Sequence, residues 1–259
     1  MPDRRKHRGP HPNDLHWFSV EARPLLRRAT ADLAWLLSRG YPHAAALALV
    51  GNRYALVARQ RIAVARCACS DEAAARRRRH RVASGALRGQ PLWIDGYNVL
   101  TTLEAALAGG ILLAACDGAL RDMASMHGSY RKVQETLPAL RHLGRHLASW
   151  GVGEAVWLLD RPVSNSGRLK QLMEDLAREQ GWPWRIELTA DPDGMLASSP
   201  EIVATADSAI LDRCGRWFNL ALETVRVEVP AARMVDLDCF DSKAPPPLAG
   251  NHLKPLEGP

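Results

Sequence analysis

The chain has 259 residues, 47% of them hydrophobic and 24% charged, which suits one large domain or two modest ones. No run of about 18 apolar residues occurs, so no membrane span is expected, and the basic start MPDRRKHRGPHPND lacks the apolar stretch of a secretory signal. The net charge of +6 is unevenly spread: residues 1–90 hold 18 Lys and Arg against 6 Asp and Glu, whereas residues 91–259 hold 16 against 22. A basic half suits phosphate backbones and an acidic half suits metal cations. The plainer alternative is that the arginines coat solvated helix faces. Five scattered cysteines (Cys67, Cys69, Cys116, Cys214, Cys239) point to a cytoplasmic protein with reduced thiols. Cys67-Ala-Cys69 has no second pair to complete a zinc site.

In chain order, residues 1–14, rich in Arg, His and Pro, read as a disordered basic tail. Residues 15–85 read as a basic helical domain. Leu25, Leu26, Ala29, Leu33, Leu36 and Leu37 recur at helical spacing until Gly40 stops them. YPHAAALALVGNRY and ALVARQRIAVARCA predict two further helices. SDEAAARRRRHRV opens with a cap and acids and ends in arginines, as the helix dipole prefers. Arg76, Arg77, Arg78 and Arg79 are the candidate nucleic-acid grip. Residues 86–90 read as a linker.

The pattern then changes over residues 91–240. LWI (92–94), AVWLL (155–159), RIEL (185–188) and EIVAT (201–205) are short β-prone runs. Between them lie helical stretches: KVQETLPALRHLGRHLASWG, GRLKQLMEDLAREQGW and DSAILDRCGRWFNLALE. TVRVEV and RMVDL offer late strands. Strands alternating with helices predict an α/β domain with a mainly parallel sheet. Residues 241–259 form a Pro/Gly-rich tail.

In such a sheet, ligands collect beyond the carboxyl ends of the strands. Asp95 follows LWI, Asp160 follows AVWLL, and Asp207 stands just past EIVAT. TADPDG places Asp191 and Asp193 near the same edge. Carboxylates that converge repel one another unless protonated or bound to cations. All-oxygen donors suit Mg²⁺ or Mn²⁺, and such ions activate water for attack on a phosphodiester. Each acid also has a structural reading, since Asp caps helices and fills turns.

Other residues carry weaker signals. Asp212 precedes Arg216 by four, which suits a helix-surface pair, and it could also reach the site. Glu104 falls on the helix expected after Asp95. CDGALRDMASMHGSYRK (116–132) gathers Asp117, Asp122, His127, Tyr130, Arg131 and Lys132 on a long excursion, a place where function often resides. Ser164 and Asn165 can cap a helix or hold a phosphate at its N-terminus. No Gly-x-Gly-x-x-Gly, no phosphate loop and no Gly-x-Ser-x-Gly elbow occurs. Asp95-Gly96-Tyr97 lacks the second acid of a phosphoaspartyl phosphatase.

WIDGYNVL resembles the first motif of the PIN-like nucleases, especially their NYN branch. VWLLDRPVS is similar to their second strand and its acid, and EIVATADSAILDR to the late strand ending in Thr-x-Asp. The chain also resembles a prokaryotic family that joins a short helical domain of unknown function to a PIN-like one. Its markers are DLAWLLSRGYPHAAALALVGNRY and DGALRDMASMHGSYR, and the likeness runs over residues 12–240. The resemblance implies an N-terminal helical module followed by a PIN-like three-layer α/β domain with divalent-metal nuclease activity. It implies Asp95, Asp160 and Asp207 as ligands, with Asn98 as a supporting polar residue. The acid such nucleases place on a mid-chain helix has no single match here; Glu104, Asp117 and Asp122 all offer one. The expected function is therefore an RNA-cutting enzyme using Mg²⁺ or Mn²⁺. The alternatives are an RNA-binding protein on the same fold and a module of a toxin-like or RNA-processing complex. A homo-oligomer is compatible with the sequence.

Overall fold

The computed structural model describes residues 9–124 and 130–240. The helical region comprises α1 (Asp14–Trp17), α2 (Arg23–Ser38), α3 (His43–Arg53), α4 (Ala58–Cys67) and α5 (Asp71–His80). The α2 helix buries Leu26, Ala29, Leu33 and Leu36, one face at 3–4 spacing. Gly40, at φ 79°, turns the chain where a side chain would be strained. The α5 helix starts on Ser70, whose hydroxyl accepts from the Ala73 N–H. Order begins before residue 15, contrary to a tail running through Asp14. Asp14 is fully buried and receives Arg59 Nε at 2.5 Å and Nη2 at 2.9 Å. The rest of the expected N-terminal tail before residue 9, and all of 241–259, lie outside the described residues.

The α/β region follows as β1 (Pro91–Asp95), α6 (Gly96–Leu107), β2 (Ile111–Ala114), β3 (Leu120–Asp122), α7 (Thr136–Ser149), β4 (Glu154–Asp160) and α8 (Ser166–Gln180). After these come β5 (Trp184–Thr189), α9 (Pro192–Ala197), β6 (Ile202–Ala204), α10 (Ser208–Leu211), β7 (Arg216–Trp217), α11 (Leu220–Glu228) and β8 (Arg233–Asp236). Five strands form a wholly parallel sheet in the order β5-β4-β1-β6-β7. Its pleat divides the core. Leu92, Ile94, Ala155, Trp157, Leu159, Ile202 and Ala204 pack with α6, α7, α8 and α11. Val156, Leu158, Val203 and Trp217 face the other way, against Leu196, Ile210 and Leu211 of α9 and α10. This is the expected α/β class, with the sheet between two helical layers.

A second sheet, β3-β2-β8, was not evident in the sequence. Its Ile111, Leu113 and Val235 share one apolar cluster with Phe18, Leu26, Leu33, Val50 and Val64. The helical region thus completes its core on the α/β region. The stretch read as a linker is also packed. Leu87 is wholly buried in the main core, and Gly89 N–H donates to the Gly151 carbonyl at 2.7 Å.

Three other expectations differ from the structure. DSAILDRCGRWFNLALE is not one helix but α10, β7 and the start of α11. Its buried Ile210, Leu211, Cys214, Trp217, Phe218 and Ala221 mimic helical spacing. The parallel pairing of Arg216 and Trp217 with β6 overrides that local preference. TVRVEV belongs to α11, while RMVDL supplies β8 of the second sheet. Cys116 and Cys239 are joined as a disulfide, a departure from uniformly reduced thiols. The parallel β2–β8 register, with Ala114 opposite Asp236, carries the two cysteines past the same end of that sheet. No helix among the described residues is long and apolar enough to cross a membrane.

Gly96, the first residue of α6, lies against β4. A Cβ there would stand 2.8 Å from the Leu158 carbonyl oxygen and 2.5 Å from Leu159 Cδ2. Backbone cannot step aside as a flexible side-chain tip can. Gly96→Ala should therefore lower stability by about 1–3 kcal/mol, read by chemical denaturation. Unchanged stability would show that the start of α6 and β4 do not pack this closely.

Candidate functional site

The first β-strand is central. From it the chain adds β4 and β5 on one side, then returns to add β6 and β7 on the other. The strand order therefore reverses between β1 and β6, the place where open α/β sheets bind their ligands. Asp95 ends β1 and Asp160 ends β4, while Asp207 stands three residues past β6 and caps α10. Registers of Ile94 with Ala204 and of Asp95 with Leu158 bring all three to the carboxyl edge.

Short polar bonds clasp β1 to β6 at this edge. Thr205 Oγ1 donates to Asp95 Oδ2 at 2.7 Å. The same hydroxyl oxygen accepts the Asp207 N–H at 3.0 Å. Asn98 Oδ1 accepts the Ala206 N–H at 2.9 Å, and the Asn98 N–H points to Asp95 Oδ1 at 3.4 Å. Asp207 Oδ1 caps α10, accepting from Ala209 N–H at 2.7 Å and Ile210 N–H at 3.3 Å. Asn98 thus ties the end of β1 to the loop that carries Asp207. Thr205 was not singled out by itself, although its Thr-x-Asp spacing was the available signal.

The charges are coupled. Burial pushes the Asp95 carboxyl up to about 7; Thr205 and Asn98 oppose this, and the charges of Asp193 and Asp207 add to it. Asp160 is raised by partial burial and then by Asp191. Asp193 is raised by desolvation and by Asp207, Asp160 and Asp191. Asp191 caps α9, accepting the Gly194 N–H at 2.9 Å. Five carboxylates therefore share one field, more than the three strand-end acids.

The further ligand candidates lie elsewhere. Asp117 is fully buried between Arg77 and Arg121, at 2.8 and 2.7 Å. Burial would raise its carboxyl, but the two guanidiniums outweigh it and hold the group far below the usual range. Asp212 takes Arg77 Nε at 2.7 Å and Nη2 at 2.6 Å. Asp122 accepts from Thr102 Oγ1 at 2.8 Å and the Ala124 N–H at 2.7 Å. Glu104 Oε1 accepts from Tyr130 and Thr136 hydroxyls, both at 2.6 Å, inside the core. All four are engaged away from the cluster because cationic or hydroxyl partners reach them first.

The arginine run is mostly turned inward. Arg77 is buried, Arg76 Nη1 reaches the Leu211 carbonyl at 3.1 Å, and Arg78 pairs with Asp238 at 2.7 Å. Arg79 alone is exposed without an ion pair among the described residues. The excursion fares differently. Tyr130 N–H donates to the Ser164 carbonyl at 3.2 Å, and Asn165 Nδ2 to the Tyr130 carbonyl at 3.0 Å. Exposed Arg131 therefore stands beside exposed Ser164 and Asn165 at the start of α8, on the β4 side of the acid edge. Exposed Arg161 and Arg168 flank the same loop. His127 lies outside the described residues.

The donor set is all oxygen, which suits Mg²⁺ or Mn²⁺. Among the described residues no three His, Cys, Asp or Glu stand together as a ready metal-holding group. Among the described residues Asp193 makes no side-chain hydrogen bond and Asp160 bonds only its own backbone N–H. Both can turn inward without breaking a bond to another residue. The chemistry of these oxygen donors is the kind a hard divalent cation takes.

These features define a parallel α/β protein with a carboxylate cluster at its topological switch point. The chain belongs to the family described as domain of unknown function DUF5616, whose profile matches residues 84–223. A second profile, protein of unknown function DUF434, matches residues 25–80. The chain is 29% identical over 186 residues to an uncharacterized protein of Methanocaldococcus jannaschii, which covers 72% of this chain and 88% of that one. No solved structure matches.

The raised Asp95 carboxyl has a consequence for stability. An unfolded Asp titrates near about 3.9, and the folded one near about 7. Between these values the folded state binds more protons than the unfolded, so its stability falls as pH rises from about 4 to about 7. Asp95→Asn removes that fall, and the metal-free variant should be at least as stable as the parent at pH 8. Thermal denaturation across that pH range tests this, and a variant less stable than the parent at pH 8 would contradict a carboxyl raised by burial and by its acidic neighbours.

Proposed function

We propose that the protein is a divalent-metal-dependent nuclease that hydrolyses phosphodiester bonds in RNA, as its resemblance to PIN-like nucleases implies. The observation that carries this reading is the convergence of Asp95, Asp160 and Asp207 on the carboxyl edge of the sheet at the strand-order reversal, with Asp193 in the same field. Repulsion among converging carboxylates costs stability in the metal-free protein and is relieved by a cation. A bound Mg²⁺ or Mn²⁺ supplies charge neutralisation for the phosphodiester and acidity for water.

The chain's own groups would do the rest. Asp95, Asp160, Asp193 and Asp207 hold the cation, and Thr205 and Asn98 orient Asp95 and the Asp207 loop. Arg131, Arg161 and Arg168, with Ser164 and Asn165, offer a phosphate-facing rim next to the acids. This rim replaces the Arg76–Arg79 run as the main candidate RNA contact, since that run is largely committed within the protein.

The purified chain should cut a single-stranded or looped RNA in Mn²⁺ or Mg²⁺. Asp95→Asn should abolish cutting while the protein stays folded. Joint replacement of Arg131, Arg161 and Arg168 by Ala should weaken RNA binding and flatten its salt dependence by about three phosphate contacts. Wild-type protein that binds RNA, never cuts it across a metal series and gains no thermal stability from Mn²⁺ would replace this reading with a binding-only one.

A further inference from the structure

We infer that Arg77 of α5 and Arg121 of β3 are positioning residues for Asp207, so that the helical region forms part of the acid site. The role assigned to Asp207 rests on the proposed nuclease reading; the positioning itself rests on geometry. The loop after β6 must present a carboxylate at an open edge, so apolar packing alone cannot fix it. Polar bonds do so on both sides of Asp207. Arg121 Nε donates to the Ala206 carbonyl at 2.8 Å. Arg121 Nη2 and Arg77 Nη1 both donate to Ser208 Oγ, at 3.1 and 3.2 Å. Arg77 also grips Asp212, the C-cap of the α10 turn that Asp207 opens.

The two guanidiniums are themselves held. Both reach Asp117, which is wholly buried and bonds Arg121 through each of its oxygens. Arg77, Arg121 and Asp117 are buried, and the exposed carboxylate of Asp212 supplies the second negative charge, so the formal charges of the four cancel. Arg77's backbone carbonyl accepts the Trp217 indole N–H at 2.6 Å, which fixes the end of α5 on β7. A purely scaffolding network would have no reason to end on residues 206, 208 and 212. Here the guanidinium bonds that do not go to Asp117 or Asp212 go to Ala206 and Ser208, on either side of Asp207.

The test compares wild type, Arg77→Met, Arg77→Lys and Ser208→Ala by residue-resolved hydrogen exchange and by calorimetric Mn²⁺ titration. In Arg77→Met the Ala209 and Ile210 amides capped by Asp207 should exchange about tenfold faster while β1 and β4 amides hold their rates. Its Mn²⁺ affinity should fall by about 10-fold or more, as when a supporting partner of a ligand is removed. Arg77→Lys should recover part of both effects. Ser208→Ala keeps every ion pair, so it carries the test if Arg77→Met does not fold, and it should show the same local change in smaller degree. Exchange that stays at wild-type rates in the capped amides, or that rises evenly along the chain, would overturn the inference. A wild type that takes up no Mn²⁺, with the local exchange still rising in the variants, would uphold the positioning of Asp207 and remove the nuclease reading.

Discussion

One fully buried carboxylate, Asp117, holds the two regions of this protein in register. It sits between a guanidinium from α5 and one from β3. An unpaired charge at that depth would cost several kcal/mol, and loss of a single partner typically costs about 3–5 kcal/mol. The helical region and the β2–β3 excursion must therefore close on the same point. That closure brings the α2–α4 apolar faces onto the second sheet, where they find the core they lack by themselves. It also carries Arg66 onto the carbonyls of Asp122 and Ala124, at 2.6 and 3.1 Å.

The acid edge depends on the opposite arrangement. Around Asp117 cations outnumber carboxylates within reach; around Asp95 there are other carboxylates, the Thr205 hydroxyl and the Asn98 N–H, but no cation among its hydrogen-bond partners. Burial acts in the same direction at both places, against the charged form. Two arginines reverse it at Asp117, and nothing reverses it at Asp95, whose carboxyl stays raised to about 7. One residue type in one fold thus has two fates, set by which charges the neighbouring elements deliver. Surplus negative charge that the protein leaves uncompensated, at the one place where a parallel sheet opens to ligands, is a charge an incoming cation can neutralise.

The arginine run shows how charge alone misleads. Arg76 to Arg79 follow one another on a helix, so their side chains point about 100° apart in succession. No single surface can use all four. Arg77 goes inward to Asp117 and Asp212, Arg78 goes to Asp238, Arg76 meets a carbonyl, and Arg79 faces water. The strong basic balance of residues 1–90 is in part the counter-charge of the acidic half.

Local sequence was enough to announce the strands ending in Asp95 and Asp160, the late strand leading to Asp207, four of the five N-terminal helices, with the stop at Gly40 and the cap at Ser70, and the alternation that makes the sheet parallel. These are properties of nearest neighbours: periodicity, caps, turn residues and β-branched runs. Where the chain closes on itself over long separations, the sequence was silent. Nothing near Asp117 marks it as the partner of Arg77 rather than of a metal, and nothing near Thr205 marks its hydroxyl as the clasp on Asp95, 110 residues away. The two-residue strand at Arg216–Trp217 has no pattern of its own and exists only because β6 offers it an edge. Sequence decided which residues can be strand, helix, cap or acid; tertiary structure decided which acids gain a cationic partner and which do not, because that depends on the few ångströms separating groups far apart along the chain.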